Sequence, residues 1–370
     1  MAVTLNLTWR AWRQLRRAWR LPRTASLTAE AWGLAPLRSL IAVVQNLVVG
    51  RASMGDAEAI FVLGFWRSGT TLMHELLAAD ERFCFPTNYA CFHPHHFIFT
   101  HKSARALKPG RVRRPQDGMT TGWQTPQEDE FALLCLGARS PYEGLIAAGD
   151  FDKSLALADP EDLGPKDRRT WEKTFLKFFR SVRFAHGDRP MVLKSPPHSY
   201  RVRTLRKLLP KSRFILMVRD PAQVFESMMK TYRAFSLRYG LVPGLPNREL
   251  RELILKERLR CEEKLICGLA GLGEDRLALV KFEDLIADPA ATVKTLYRQF
   301  RLGGFEERRI RQLPRPQPAA LPPEEWQERL SSAWSSLFAR YGYRPPYPKT
   351  GIAEQFQEQY KAVFRASAKE

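Results

Sequence analysis

The chain has 370 residues, of which 44% are hydrophobic and 26% are charged, so it can bury a large core and is not wholly disordered. Its 59 basic and 39 acidic residues give a net charge of +20, which favours a polyanionic ligand, an anionic membrane or nucleic acid without choosing among them. The five cysteines are odd in number and form no CxxC pair, which favours reduced thiols in a cytoplasmic protein.

Residues 1–55 read as a basic N-terminal extension. Tryptophans and arginines alternate over residues 1–23, which predicts an amphipathic helix. Two alternatives stay open for this helix: it lies on an anionic membrane, or its tryptophans dock on the protein or on a second subunit.

A second apolar run in the extension, from Leu37 to Val49, contains four polar residues. It is too short and too polar to span a bilayer, which needs roughly 20 apolar residues. We therefore expect no transmembrane helix.

Next in the chain comes a strand–loop–helix junction. Ile60 to Leu63 suit a buried strand, Gly64 and Gly69 allow a tight loop, and Thr70 and Thr71 begin a helix. Unpaired N–H groups and the helix dipole both favour a phosphate group at such a junction.

Strands and helices alternate through the rest of the chain. After 60–63, strands are predicted at 83–86, 191–193, 213–218 and 277–281. Helices are predicted at 70–79, 90–102, 126–136, 166–185, 200–209, 221–235, 247–269, 289–300 and 324–341. The alternation predicts a P-loop-like, three-layer α/β fold, with a central parallel sheet of about five strands and helices on both faces.

Three basic residues lie just past predicted strand ends, namely Arg67, Lys194 and Arg219. Ligands of parallel sheets bind at the carboxyl ends of the strands, so we expect these three residues to converge. Thr70 stands where the Walker A lysine would be, and this weakens a kinase or NTPase interpretation.

The motifs at these strand ends resemble those of sulfotransferases that use 3′-phosphoadenylyl sulfate (PAPS), in the bacterial-type branch related to tyrosylprotein sulfotransferases. Residues 64–72 resemble the 5′-phosphosulfate loop, and Arg219-Asp220-Pro221 with Ser227 resembles the 3′-phosphate motif. Residues 192–196 resemble the lysine segment between them. Residues 280–285 resemble the V-x-Y-E-D-L segment, with phenylalanine in place of tyrosine. The resemblance runs from about 58 to 345.

This resemblance implies a sulfotransferase domain over 56–345, with a tail over 346–370. It implies transfer of a sulfuryl group from PAPS to a hydroxyl or amine, without a metal. Arg67 and Lys194 would stabilise the leaving group. The 3′-phosphate would contact Arg219 and Ser227. The 5′-phosphate would contact the loop residues Arg67, Ser68, Gly69, Thr70, Thr71 and Leu72.

The general base stays open. Cytosolic sulfotransferases use a histidine and tyrosylprotein sulfotransferases use a glutamate, but neither position matches here. We favour His95 or His96 because histidine has a suitable ordinary pKa. The other candidates are His93, Glu128, Glu130 and His198. The acidic cluster at 128–130 also suits the first turn of a helix.

The acceptor is less defined than the donor. An aromatic run predicts an apolar lining, and hence a lipid or a hydrophobic alcohol; its members are Tyr89, Phe92, Phe97 and Phe99. The alternatives are a P-loop kinase or NTPase, or a membrane- or nucleic-acid-binding protein with a degenerate loop. No nucleic-acid motif is present, so we expect no nucleic-acid partner. We expect a cytoplasmic enzyme, and if residues 1–23 lie on the membrane, this peripheral contact would bring the enzyme to such an acceptor. The sequence leaves its oligomeric state open.

Overall fold

The structure is a computed structural model and describes residues 6–19, 30–50, 57–106, 112–113, 120–144, 151–239, 245–307, 310 and 321–347. The predicted tail at 346–370 lies largely outside these residues. The division of the chain at residues 55 and 345 stays a prediction.

A parallel sheet forms the centre of the fold. Its strands are β1 (Ala59–Leu63), β4 (Met191–Lys194), β5 (Arg213–Val218) and β6 (Leu277–Lys281), and their spatial order is β4-β1-β5-β6. All three pairings are parallel, and every residue of β1 is buried. Parallel strands covered on both faces need such continuous apolar runs. The P-loop-like α/β prediction is confirmed. A separate antiparallel pair joins β2 (Val112–Arg113) to β3 (Thr120–Thr121).

Helices cover both faces of the sheet. In chain order they are α1 (Trp9–Ala18), α2 (Ala35–Val49), α3 (Thr70–Ala78), α4 (Asn88–Phe92), α5 (Phe97–Ala106), α6 (Glu130–Cys135), α7 (Phe151–Leu155), α8 (Pro165–His186), α9 (Val202–Leu208), α10 (Pro221–Tyr239), α11 (Asn247–Leu269), α12 (Phe282–Ala287), α13 (Pro289–Gln299), α14 (Glu324–Ala333) and α15 (Ser335–Tyr341). Two buried clusters result, one on each face of the sheet.

Three predicted elements differ from the structure. The strand predicted at 83–86 is reduced to one bridge between Cys84 and Met191, so the sheet has four strands rather than five. The helix predicted at 90–102 is two short helices, α4 and α5, with Pro94 between them. The helix predicted at 324–341 is divided at Trp334, which is buried.

The N-terminal helix α1 docks on the domain. Trp12 and Leu15 are buried in a small cluster with Cys135, and the backbone N–H of Thr8 donates to the carbonyl of Cys135 at 2.9 Å. Of the two alternatives for residues 1–23, the structure therefore shows docking on the protein for the residues it describes.

The second N-terminal helix is longer than the apolar run identified from Leu37 to Val49. A π-helical turn at Glu30–Leu34 precedes α2. Together they make Trp32–Val49 a continuous helical stretch of 18 residues with a mean hydropathy of 1.4. By length and composition alone this stretch could cross a membrane. The shorter apolar run from Leu37 to Val49, considered alone, did not predict this.

Candidate active site

The loop after β1 leads into α3 without a side-chain cap. Gly69 is the N-cap residue of α3, has a left-handed backbone with φ 93°, and is followed by no acidic residue in the first turn. The first-turn N–H groups are therefore available to an anion. A Cβ on Gly69 would lie 2.4 Å from the ring of Phe282, so only glycine fits this position.

The predicted phosphate ligands Arg67, Arg219 and Ser227 come together at the ends of β1 and β5. The Arg67 Nε donates to the Ser227 Oγ at 2.9 Å, and the Arg219 Nη1 donates to the Arg67 carbonyl at 3.3 Å. Arg67 has a positive φ of 71°, an uncommon conformation for a residue with a side chain. Burial and the nearby Arg67 lower the pKa of Arg219, because two cations are crowded together.

Phe282, the first residue after β6, supports this cluster. Its ring lies under the Arg219 guanidinium, with 4.4 Å between the guanidinium carbon and the ring centroid. The next residue, Glu283, accepts a hydrogen bond from the Asp220 backbone N–H at 3.2 Å and from the Tyr343 hydroxyl at 2.6 Å. The segment after β6 therefore fixes both the arginine and the start of α10.

Lys194, at the end of β4, is bound to an acidic partner. It is buried, and its Nζ lies 2.5 Å from the Glu128 Oε1. The Tyr142 hydroxyl donates to the other carboxylate oxygen of Glu128. The Glu128 side chain keeps 16% of its surface exposed, whereas that of Lys194 keeps 3%.

The two residues after Glu128 are fully buried and anchor the lysine segment. Asp129 accepts from the Ser195 Oγ at 2.9 Å and lies 3.0 Å from the His198 Nε2. Glu130 accepts from the Arg201 Nη2 at 2.5 Å. Glu130 lies in the first turn of α6 as predicted. The acidic cluster, however, chiefly binds the segment from 194 to 201, a role that the helix-dipole interpretation had not indicated.

The histidines favoured as the base lie in a separate cluster. The rings of His95 and His96 are 4.5 Å apart, and His96 shares a hydrogen bond with Thr100 on α5. Burial, followed by the neighbouring His96 and Arg38, lowers the pKa of His95 to about 3. The charges acting on this cluster come from its own histidines and from Arg38, rather than from Lys194 or Arg219.

A chain of aromatic rings leads from α4 to Glu128. Phe92 lies 5.2 Å from Phe131, and Phe131 lies 5.1 Å from Tyr142, which holds Glu128. Phe97, predicted to line the same pocket, is instead fully buried in the main core. Phe131 and Tyr142 were missed at the sequence level because no motif surrounds them.

Together these features define a P-loop-like α/β protein with two arginines and a serine in contact beside an uncapped helix start, and a lysine–glutamate pair at the end of β4. The model of the sulfotransferase family matches residues 59–307. The chain belongs to this family and is a sulfotransferase.

Two curated relatives carry the same name, omega-hydroxy-beta-dihydromenaquinone-9 sulfotransferase Stf3, in Mycobacterium tuberculosis and Mycobacterium bovis. Each is 32% identical over 278 residues, which cover 74% of this chain and 71% of the relative. Among solved structures, sulfotransferase STF9 from Mycobacterium avium has a TM-score of 0.64 at 16% identity, covering 93% of this chain and 99% of that chain. Sulfotransferase STF1 from Mycobacterium tuberculosis has a TM-score of 0.53 at 16% identity, covering 92% and 84%. Both structures share the fold.

Proposed function

We propose that this sulfotransferase uses PAPS as its donor and transfers the sulfuryl group to a hydroxyl on a hydrophobic acceptor. The observation that supports this most directly is the position of two polar groups at the ends of the two strands that flank β1. Arg67, Arg219 and Ser227 form a cationic cluster beside β5, and Lys194 pairs with Glu128 beside β4.

The cationic cluster fits a phosphate group. The Nε of Arg219 is buried without a hydrogen-bond partner among the described residues, and the guanidinium is crowded by Arg67. A dianionic 3′-phosphate would satisfy both arginines and accept from Ser227. We therefore assign Arg219 and Ser227 to the 3′-phosphate, with Arg67 beside them.

The loop fits the 5′-phosphate. Backbone N–H groups at Gly69, Thr70, Thr71 and Leu72 lie at the uncapped start of α3, whereas that of Ser68 donates to the Phe65 carbonyl at 3.2 Å. A Cβ on Gly64 would lie 2.7 Å from the Met217 carbonyl, so the loop must pass close to β5. This close path keeps the donor's phosphate groups beside the strand ends.

Lys194 and Glu128 fit the transfer step. PAPS supplies a sulfur atom whose bond to the bridging phosphate oxygen breaks as a bond to the acceptor oxygen forms. Lys194 would neutralise the charge that develops on the leaving phosphate oxygen. Glu128 would accept the proton of the acceptor hydroxyl.

Glu128 replaces the favoured histidines in this proposal because it already contacts Lys194. A histidine with a pKa near 3 is a weak base at neutral pH, and this describes His95. His198 is fully buried against Asp129, beneath the lysine segment. His95 and His96 stay untested predictions.

An apolar acceptor fits the aromatic path from Phe92 through Phe131 to Tyr142. The name of the relative Stf3 describes a menaquinone-derived alcohol as its acceptor. We propose a lipid-like alcohol of this general class for the present chain as well.

If residues 1–23 contact a membrane, the contact would be made by exposed arginines and not by the buried tryptophans. Trp12 and Trp19 are committed to the protein, whereas Arg13, Arg16 and Arg17 face solvent. Placement in the cytoplasm at the membrane surface stays part of this proposal.

Binding of 3′,5′-phosphoadenosine, measured by thermal shift, tests the donor site. We expect a rise in Tm for the wild type and no rise for Arg67→Ala or Arg219→Ala. Arg213→Ala is the matched control, because Arg213 lies at the opposite end of β5 and pairs with Glu58 at 2.7 Å. No shift in the wild type, or an unchanged shift in Arg219→Ala, would contradict the donor assignment.

Transfer of labelled sulfate from PAPS into a lipid extract tests the acceptor class. We expect label in an apolar product that Glu128→Gln no longer forms. Label only in water-soluble products would exclude a lipid acceptor while leaving the donor assignment intact.

A further inference from the structure

The helix α2 exposes most of its large apolar residues, unlike a normal surface helix. Its solvent-facing side carries large apolar residues, with Leu47 74% and Leu40 62% exposed. The other exposed members of this apolar face are Leu37, Val43, Val44 and Val48. Exposed apolar patches of this kind mark interaction sites in proteins.

The buried side of α2 is mixed, with Ala35 and Val49 in the apolar core and the polar Gln45 between them. Gln45 is 3% exposed, and its Nε2 donates to the Pro94 carbonyl at 2.8 Å while its Oε1 accepts from the Ile98 N–H at 3.4 Å. Near the other end of the helix, Ser39 accepts from the Trp9 N–H at 2.8 Å. These bonds fix the rotation of α2 about its axis, so the domain itself holds the apolar face outward.

Arginines lie beside this apolar face. Trp9 of α1 contacts Trp32 at the start of the α2 stretch, with 5.1 Å between ring centroids. Arg13 and Arg16 follow Trp9 by four and seven residues, so they share its side of α1, and both are exposed. The two helices carry no acidic residue.

We infer that α2 lies in the plane of an anionic lipid bilayer, with its apolar face among the acyl chains and Arg13 and Arg16 on acidic headgroups. An apolar face flanked by arginines is the pattern of interfacial membrane helices. A second copy of the chain fits less well, because a two-fold contact would bring the same arginines toward one another with no acidic partner on these helices.

An in-plane position follows from the hydrogen bonds of α2. A spanning orientation would detach Gln45 and Ser39 from the domain and carry them into the acyl region. The in-plane position keeps these bonds.

Vesicle flotation of the full-length protein tests this inference, which goes beyond the proposed function and needs no turnover. The probes are vesicles of phosphatidylcholine alone and of equal parts phosphatidylcholine and phosphatidylglycerol. We expect the wild type to float with the mixed vesicles. Leu40→Glu combined with Leu47→Glu should lower the bound fraction at least roughly tenfold, and Arg13→Glu combined with Arg16→Glu should lower it mainly at low salt.

The matched control is Leu321→Glu, an equally drastic change at a leucine that is 56% exposed but lies ahead of α14. It should float like the wild type. Each variant should keep its thermal shift with 3′,5′-phosphoadenosine, which shows that it is folded and tests the donor site separately.

Two outcomes would overturn the inference. One is equal flotation of the Leu40→Glu, Leu47→Glu double variant and the wild type. The other is a wild type that ignores anionic vesicles and sediments as a dimer, with the same double variant sedimenting as a monomer. That second result would assign the apolar face to a second copy of the chain.

Discussion

Glu128 and Glu130 are two residues apart, yet we expect their substitution to affect different properties of the enzyme. Glu128 lies partly exposed between Lys194 and Tyr142, whereas Glu130 is fully buried against Arg201. Glu128→Gln should therefore remove the base, and Glu130→Gln should chiefly destabilise the fold.

The size of the Glu130 effect follows from the surroundings of Arg201. Its guanidinium is buried, donates to the Pro197 carbonyl at 3.0 Å and stacks over Trp171 at 4.6 Å. Glu130→Gln would leave the buried Arg201 guanidinium without its carboxylate partner. Removal of one partner of a buried ion pair costs about 3–5 kcal/mol. In a domain of this size the Tm should fall by roughly 5–15 °C.

Glu128→Gln should have the opposite balance of effects, with a small loss of stability and a large loss of transfer rate. Glu128 is partly exposed, and a glutamine oxygen at this position could still accept from the Lys194 Nζ, so Glu128→Gln should cost only about 1–2 kcal/mol of stability. The transfer rate should fall about 10²- to 10⁴-fold if Glu128 is the general base.

Urea unfolding and PAPS-dependent transfer measured on the same samples separate the two effects. Glu172→Gln is the control, since Glu172 forms a partly exposed pair with Arg168 at 3.0 Å and should lose no more than about 0.5 kcal/mol. The reasoning is refuted if Glu128→Gln keeps most of the wild-type rate, or if Glu130→Gln is as stable as the wild type.

Three further predictions concern the loop, the aromatic support and pH. Gly69→Ala should abolish 3′,5′-phosphoadenosine binding by calorimetry, because its φ of 93° and the ring of Phe282 2.4 Å away exclude a Cβ. Phe282→Ala should weaken that binding by roughly 3- to 30-fold through loss of the contact with Arg219, and Phe282→Tyr should restore it. Burial, followed by the charge of Lys194, lowers the pKa of His74 to about 3, so only the unfolded state binds a proton there between about pH 6.5 and 3. The free energy of unfolding should thus fall by about 2 kcal/mol from pH 7 to 5 on account of this residue, and His74→Gln should remove that part of the pH dependence in urea titrations.

The sequence predicted the parts of the fold in which a local pattern and its tertiary surroundings agree. The helix α11 and the strand β6 have the bounds predicted for them. The predicted strand at 83–86 has only Cys84 in a bridge, since it is short and ends in Pro86, which has no N–H to donate. The division of the last helix at Trp334 has a tertiary cause, because this buried residue donates to the Leu255 carbonyl of α11 at 3.1 Å.

The candidate site divides in the same way. Arg67, Arg219 and Ser227 could be predicted because each follows a strand that parallel pairing brings to one edge of the sheet. The partner of Lys194 could not be chosen from the sequence, since Glu128 lies 66 residues away and no spacing rule joins the two. The three consecutive acidic residues looked equivalent in the sequence. Their partners distinguish them, because Glu128 pairs with Lys194 whereas Asp129 and Glu130 bind the segment that follows it.

The N-terminal helices show why amphipathicity alone could not choose a partner. An apolar face has the same periodicity whether it meets a protein core or a membrane, so the tryptophans of residues 1–23 predicted both alternatives equally. The structure buries Trp12 and Trp19 on the domain and leaves the leucines of α2 outside. The residue that determines this arrangement is Gln45, a polar side chain in an apolar run that looked like an interruption. The Gln45 amide forms hydrogen bonds with Pro94 and Ile98, so the side of α2 that carries Gln45 faces the protein. The exposed apolar side is therefore left for a partner.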